Sequence, residues 1–480
     1  MKKYFLLCAA LVLFLGACRH PGEEQDSGDK FIACDFTKSR YDPQYYYQVS
    51  AERIYEGQKC IIYAENNSGV TKDDAVQFAR EYDEKIYSMT VENFCNEDFD
   101  VSTPWGEKIR YENTLEYAYS MTAGENKLYI LLLDIRDGYR QGYQDSYIAG
   151  YFTPINLYNG NNSNYRTMIY VDTYPGMNKK DGMYSTFAHE LQHLVNYVTT
   201  TLNRQYSMDT WIDEGLSSMA EYLYLGAPLK SLCEWFVDDP AGTIAQGNNF
   251  YVWDNYQEKP DAIMDEYATV YLFFQWLYLQ ADNNNFLKNI ADSSKYDYTA
   301  VTENAALIKP EWSDWETLLR TWLAANYINN PANEFGYKST EPLLQDIGVK
   351  IIGPPNYFNN TIALYPGEGV YSIINSSYKP GSSGANIRYA GLQKGPPGSV
   401  NYSGDQYTGN VLLTFNKNTS GSRLENGSVT GVPGAPAASP AMGLSAPVNF
   451  SEPRRIDARD IIGRNNEEFL LPRQGKKAGK

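Results

Sequence analysis

The spacing of apolar and polar residues predicts a strand-rich first part of the chain. Lys59–Ala64 is its clearest early strand. Thr71 stands at an expected N-cap, and apolar residues recur behind it at helical spacing, which predicts an amphipathic helix over 72–87. Three further strand-like runs follow, at Leu128–Ile135, Tyr147–Phe152 and Met168–Asp172.

Four helix-like segments come next, at about Ser185–Val198, Asp213–Leu225 and Asp265–Gln280, and from Ser313 onwards. The third segment is apolar nearly all round, which predicts that this helix is buried. Ser313 and Glu316 form a capping-box pair ahead of an apolar run and predict the start of the fourth helix. Together these patterns predict an α+β fold.

A different pattern begins after residue 345. Short alternating runs, such as Val370–Ile374 and Asn410–Phe415, are separated by turns rich in Gly, Pro, Asn and Ser. This pattern predicts a β-sandwich-like module over 346–425. Residues 426–480 open with a stretch rich in Gly, Pro, Ala and Ser and close with a basic tail. We interpret them as a linker and a disordered tail.

The first residues have the pattern of an export signal. Two lysines precede an apolar run ending at Leu15, which is too short to span a bilayer. Leu-Gly-Ala-Cys at positions 15–18 resembles the lipobox of bacterial lipoproteins. The resemblance implies a signal peptide over 1–17, acylation of Cys18 and a polar tether over 18–30. An ordinary signal peptide with an incidental cysteine is the alternative.

The remaining sequence refines this location. No later run reaches the roughly 18 apolar residues of a membrane helix, so the sequence predicts a protein held at a membrane by its lipid. Arg19 follows the acylated cysteine, and by resemblance to bacterial sorting rules this favours the outer membrane. The expected location is therefore the bacterial cell envelope, at the outer membrane or cell surface.

Composition narrows the possible functions. The chain carries 41 Lys and Arg against 58 Asp and Glu, a net charge of −17, and this acidity argues against nucleic-acid binding. Apart from Cys8 in the signal peptide and the acylated Cys18, four cysteines could form two disulfides in three connectivities, or stay free and buried. They are Cys34, Cys60, Cys95 and Cys233. Only three histidines are present, and one of them, His20, lies in the tether.

The other two histidines belong to the sequence His-Glu-Leu-Gln-His at positions 189–193. Helical residues four apart lie on one face, so His189 and His193 can bind one ion. Neutral histidine is a preferred zinc ligand, and Glu190 points to the side where a bound water would lie. The alternative is two ordinary histidines on an amphipathic helix. A catalytic zinc needs three protein ligands, and no histidine remains, so the third must be a carboxylate.

This motif and a second segment resemble the gluzincin group of zinc peptidases. Trp-Ile-Asp-Glu-Gly at positions 211–215 is similar to the gluzincin sequence W-L-N-E-G. The resemblance implies that Glu214 is the third zinc ligand. Asp213 replaces the usual Asn, and Ser218 stands where thermolysin-like enzymes carry an Asp.

Among gluzincins, the chain is most similar to the hyicolysin family of secreted neutral metallopeptidases, over roughly residues 55–330. The matching stretches are Glu81–Tyr87, Met168–Asp172 and Asp265–Tyr267. The resemblance implies a zincin-type catalytic domain over 31–345, with a β-rich N-terminal part at 31–125 and a catalytic core at 126–345.

Two further residues are assigned with open alternatives. Glu221, seven residues after Glu214, is a candidate to hold a ligating histidine, as carboxylates behind metal ligands commonly do; the alternative is a solvent-facing helix residue. In related gluzincins a tyrosine at the start of a comparable helix hydrogen-bonds the oxyanion, so the resemblance makes Tyr267 a candidate donor. With 42 tyrosines in the chain, a packing role is the alternative.

These residues predict a membrane-anchored endopeptidase that uses Zn²⁺ and Glu190 as general base on protein or peptide substrates. Gluzincin aminopeptidases carry an acidic residue in a G-x-M-E-N strand, and the corresponding Ile148–Phe152 lacks one. The main alternative is a surface adhesin or binding lipoprotein with a vestigial zincin site, suggested by the abundant tyrosines and the β-module. A metal-carrying substrate-binding lipoprotein fits poorly, because it has no use for a general base.

Overall fold

The computed structural model describes residues 28–39, 41–95, 127–141, 146–157, 161–202, 204, 206–240, 242–247, 250–251, 263–281, 285–352, 364–379, 385–395, 398–401, 406–419 and 454–456. The predicted signal peptide, Cys18, nearly all of the tether and nearly all of 426–480 lie outside these ranges. Within the ranges, no helix is long and apolar enough to cross a membrane.

A six-stranded mixed sheet forms the first layer of the molecule. Its strands are β1 Asp29–Cys34, β2 Tyr46–Glu56, β3 Cys60–Glu65, β4 Leu128–Leu133, β6 Gly150–Phe152 and β7 Met168–Asp172. The spatial order is β1-β2-β3-β4-β7-β6. The β3–β4 and β4–β7 pairs are parallel, whereas β6 runs antiparallel to β7 at one end. A further short strand, β5 Ser146–Ile148, pairs in parallel with β12 Arg454–Ile456.

Both faces of this sheet are buried, which explains why β4 is an uninterrupted apolar run. Ile130 and Leu132 point into the main core beneath the helices, while Leu131 and Leu133 point into a smaller core on the other face. Strands covered on both sides show such continuous runs, since neither face needs polar residues.

Ten α-helices are assigned in the described ranges. They are α1 Lys72–Glu81, α2 Tyr87–Phe94, α3 Lys180–Tyr197, α4 Thr210–Leu225, α5 Lys230–Asp238, α6 Ile263–Gln280, α7 Phe286–Ala291, α8 Tyr298–Ala305, α9 Trp315–Ile328 and α10 Pro342–Gln345. The α+β architecture predicted from the sequence is confirmed. The predicted burial of α6 is also confirmed, since it lies almost wholly within the main core.

Several helix boundaries differ from prediction. The helix capped by Thr71 continues through a π-helical turn into α2, and α3 begins five residues before the predicted start although Gly182 lies within it. The fourth helix is capped by Asp314, whose carboxylate accepts the Thr317 N–H at 3.0 Å, so the prediction of a cap at Ser313 was wrong. Ser313 instead ends a 3-10 turn.

The residues after 345 form the β-rich region predicted from the sequence. Its strands are β8 Gly369–Tyr378, β9 Ile387–Gln393, β10 Ser399–Asn401 and β11 Tyr407–Asn416. They make one antiparallel sheet in the order β10-β9-β11-β8. One face shares the main core with α9, and the Tyr371 hydroxyl donates to the Leu323 carbonyl at 2.8 Å. Among the described residues, the layer against this face is therefore a helix.

The cysteine alternatives resolve in favour of free thiols. Cys34, Cys60, Cys95 and Cys233 are all buried and unbridged. Burial raises the pKa of the Cys34 thiol to about 12, and a thiol that stays protonated is a poor nucleophile and metal ligand.

Candidate metal centre

Helix α3 brings the two histidines of the motif together. His189 and His193 lie one turn apart on this helix, with ring centroids 4.6 Å apart. Both side chains are buried between the sheet and α4. Their Nε2 atoms converge on one point, which is the arrangement expected from the four-residue spacing.

Helix α4 supplies the third member of the group. Glu214 Oε2 lies 3.4 Å from His189 Nε2 and 3.3 Å from His193 Nε2. Ligand atoms about 2.0–2.1 Å from a tetrahedral zinc are about 3.3–3.4 Å apart. The two measured distances therefore match two edges of a zinc coordination tetrahedron.

The packing of α4 against α6 sets the position of Glu214. A Cβ on the next residue, Gly215, would lie 2.2 Å from the Phe274 ring of α6. Only glycine allows the two helices to approach so closely at this point. The glycine of the Trp-Ile-Asp-Glu-Gly segment thus has a packing role beside the ligand.

The residues of this centre suit a metal cation. Glu214 Oε2 is buried, yet it accepts no hydrogen bond from the described residues. In the described part of the chain, His189, His193 and Glu214 form the one group of ionisable side chains whose ligand atoms, all within 4.8 Å of one another, could hold an ion. Three nitrogen and oxygen donors form the set that a catalytic zinc site uses.

Glu221 lies behind His189. Its Oε1 is 2.8 Å from His189 Nδ1, and both side chains are buried. Glu221 is thus a buried residue in contact with the imidazole, and the solvent-facing alternative does not hold. A carboxylate in this position fixes the ring orientation and leaves Nε2 for the metal.

His193 has a different set of neighbours, which the sequence reasoning missed. Ser217 Oγ lies 2.8 Å and Asp213 Oδ1 3.2 Å from His193 Nδ1. Asn196 donates from Nδ2 to the same Asp213 oxygen at 2.5 Å. Asp213 and Ser217 stand either side of Glu214 in the sequence, which is the signal that could have found them.

Glu190 points from α3 towards the edge strand β6. The Phe152 N–H donates to Glu190 Oε2 at 2.8 Å. Gly150 permits this approach, because a Cβ there would lie 2.9 Å from the Tyr170 carbonyl oxygen and 3.1 Å from Thr186 Cγ2. The sheet and α3 therefore meet closely where the candidate base lies.

Tyr267 lies in the first two turns of α6, buried in the main core. The start of this helix is anchored by Asp265, which accepts hydrogen bonds from Trp235 Nε1 at 2.7 Å and from Thr243 Oγ1. Burial agrees with a packing role as well as with a role in an enclosed site. Oxyanion binding by Tyr267 stays a prediction.

Comparison with known proteins gives one relevant similarity. The chain is 31% identical over 247 residues to the neutral metalloprotease ShpI of Staphylococcus hyicus, a match covering 50% of this chain and 49% of the relative. The chain thus spans about half the length of this curated relative. No protein-family model matches the chain. The similarity and the grouping of His189, His193 and Glu214 together support a zinc metallopeptidase family.

Proposed function

We propose that the chain is a zinc-dependent endopeptidase whose metal is held by His189, His193 and Glu214. The observation that carries the proposal is the spacing of these ligand atoms, which fits a tetrahedral ion. Bound there, zinc would polarise a substrate carbonyl and lower the pKa of a bound water towards about 7. The similarity to a neutral metalloprotease supports the same activity.

Glu190 is the general base in this proposal. The Phe152 N–H holds its Oε2 at 2.8 Å and so fixes the plane of the carboxylate. Oε1 then takes the proton from the attacking water and passes it to the departing amine. Tyr267 is the proposed donor to the developing oxyanion.

The edge strand β6 suits an extended peptide substrate. Asp172 N–H donates to the Ala149 carbonyl at 3.0 Å, and Tyr151 pairs with Tyr170. In an antiparallel ladder the intervening residue, Gly150, then directs its N–H and C=O away from β7. A substrate can add to this edge as a further strand, an arrangement that accepts the middle of a peptide as readily as its end. This favours an endopeptidase.

The location is proposed from the sequence. Lipid attachment at Cys18 would hold the enzyme at the bacterial cell envelope, at the outer membrane or the cell surface. Its substrates would then be proteins or peptides that reach this surface.

The variant Glu190→Gln tests the proposal. We expect it to keep zinc and to lose casein hydrolysis by about 10²–10⁴-fold, because the amide cannot take a proton. Glu368→Gln is a matched control, since Glu368 is also buried and accepts a backbone N–H, that of Tyr365, at 2.7 Å. This control should digest casein at the parent rate.

Casein digestion by Glu190→Gln at the parent rate would refute the role of Glu190. A parent protein that binds zinc but cleaves neither casein nor other unfolded proteins would favour the alternative of a binding lipoprotein.

A further inference from the structure

The two ligating histidines are supported in different ways. On the side of its ring away from the metal position, His189 Nδ1 contacts the Glu221 carboxylate at 2.8 Å. His193 contacts the Ser217 hydroxyl at 2.8 Å and the Asp213 carboxylate at 3.2 Å. All of these side chains are buried, so water contributes little to holding either ring.

We propose that Asp213 and Ser217 are positioning residues that together hold the His193 ring for the metal. This inference rests on the proposed zinc site and extends it to two residues that do not bind the ion. Both lie on α4, on either side of Glu214, so one helix places the third ligand and orients the second.

The hydrogen-bond directions are consistent with this role. A metal bound at Nε2 leaves the proton of His193 on Nδ1, which then donates to Ser217 Oγ and Asp213 Oδ1. The Ser217 hydroxyl donates onward to the Asp213 carbonyl at 2.9 Å and to Gln192 Oε1. The imidazole proton therefore has the Ser217 oxygen as an acceptor. The Ser217 hydroxyl proton in turn has two acceptors within reach.

Asn196 completes the arrangement from α3. It lies almost one turn after His193 and donates from Nδ2 to Asp213 Oδ1 at 2.5 Å. Asp213 is thus fixed by a residue of the helix whose histidine it orients. A negative charge at this position also raises the basicity of His193 as a ligand, which an Asn in its place would do less strongly.

Ser218 offers a matched control for Ser217. It is the next residue on α4 and is equally buried, but its hydroxyl has no hydrogen-bond partner among the described residues. Ser218→Ala therefore removes the same atom from the same environment without touching His193.

The test is zinc affinity of the full chain, measured by competition with a chromogenic chelator. We expect Asp213→Ala and Ser217→Ala each to weaken zinc binding by about 10–100-fold. Asp213→Asn keeps an acceptor oxygen and should recover part of that loss, while Ser218→Ala should bind as the parent does. The visible absorption bands of the Co²⁺-loaded protein should change in the Asp213→Ala and Ser217→Ala variants and stay unchanged in Ser218→Ala.

Affinities within about twofold of the parent for Asp213→Ala and Ser217→Ala, with unchanged Co²⁺ spectra, would overturn the inference. If Asp213→Ala does not fold, the comparison of Ser217→Ala with Ser218→Ala decides the matter. The variant His193→Ala separates the two proposals. If it binds zinc as tightly as the parent, the proposed zinc site itself is wrong. If it loses zinc while the Asp213 and Ser217 variants do not, only the positioning role fails.

Discussion

Two groups of titratable side chains lie on the same scaffold and differ in their burial and in what surrounds their oxygens. The metal cluster consists of His189, Glu190, His193, Glu214 and Glu221. The carboxylate cluster consists of the exposed Asp134, the half-buried Asp137 and the buried Asp172, and it lies where β4 and β7 end.

In the carboxylate cluster, backbone N–H groups approach the acids. Asp172 accepts those of Ile135 at 3.1 Å and Gly176 at 3.0 Å. In the metal cluster, Glu214 Oε2 faces two imidazole nitrogens and accepts no hydrogen bond from the described residues. Oxygens that accept backbone N–H groups serve to anchor loops, whereas a buried oxygen facing other ligand atoms requires a cation.

The largest energetic contrast is expected for the variant Asp172→Asn. Burial, with smaller contributions from Asp137 and Asp134, raises the pKa of Asp172 to about 7. A carboxyl with a raised folded-state pKa is most stabilising below its ordinary pKa, and this contribution is lost as the pH rises through about 7. The free energy of unfolding of the parent should therefore fall from pH 4 to pH 8 as Asp172 ionises.

Residue 172 cannot ionise in Asp172→Asn. From pH 4 to pH 8 the free energy of unfolding of the variant should therefore fall less than that of the parent, and the two decreases should differ by about 2–4 kcal/mol. Denaturant titrations at both pH values, with chelator present for both proteins, measure this difference. The same pH dependence in variant and parent would show that burial does not raise the pKa of Asp172.

A smaller effect is expected where the sheet meets the metal cluster. Gly150→Ala places a Cβ 2.9 Å from the Tyr170 carbonyl, which forces β6 away from β7 or α3. Glu190 loses its alignment with Phe152, and we expect kcat for a peptide substrate to fall about tenfold. Bound zinc should be unchanged, because the three ligands lie on α3 and α4.

Gly182→Ala is the matched control. Gly182 lies on α3, the helix that carries Glu190, and a Cβ there would meet nothing within 4 Å. It should hydrolyse the substrate at the parent rate. If Gly150→Ala keeps the parent's kcat, the alignment of Glu190 does not depend on the edge strand β6. The expected coupling between the sheet and the metal cluster would then be wrong.

Local pattern was sufficient for the parts of the site that one helix determines. His189 and His193 follow from a four-residue spacing, which fixes their geometry wherever the helix lies. Glu214 needed a resemblance, because nothing in one helix tells which residue of another will face it. Asp213, Ser217 and Asn196 were missed for the same reason: their contacts with one another and with His193 cross between α3 and α4.

The fold shows the same limit. Period-two runs predicted strands in the C-terminal region, but they do not tell what packs on the sheet, and α9 covers one face. The cap of α9 was misplaced because Ser313 and Asp314 are neighbours and both are favourable N-cap residues, and Glu316, three positions after Ser313, completes a capping-box pattern that Asp314 lacks. The main sheet was easier, since β4 is apolar at every position and its burial follows directly.

The most direct test of the metal cluster is the zinc content of the purified full chain, compared with Glu214→Ala and Asp172→Asn. We predict about one zinc per chain in the parent and in Asp172→Asn, and less than about a tenth of that in Glu214→Ala, because two ligands do not hold a catalytic zinc. Zinc retained by Glu214→Ala, or none in the parent, would contradict the assignment of His189, His193 and Glu214 as a metal centre.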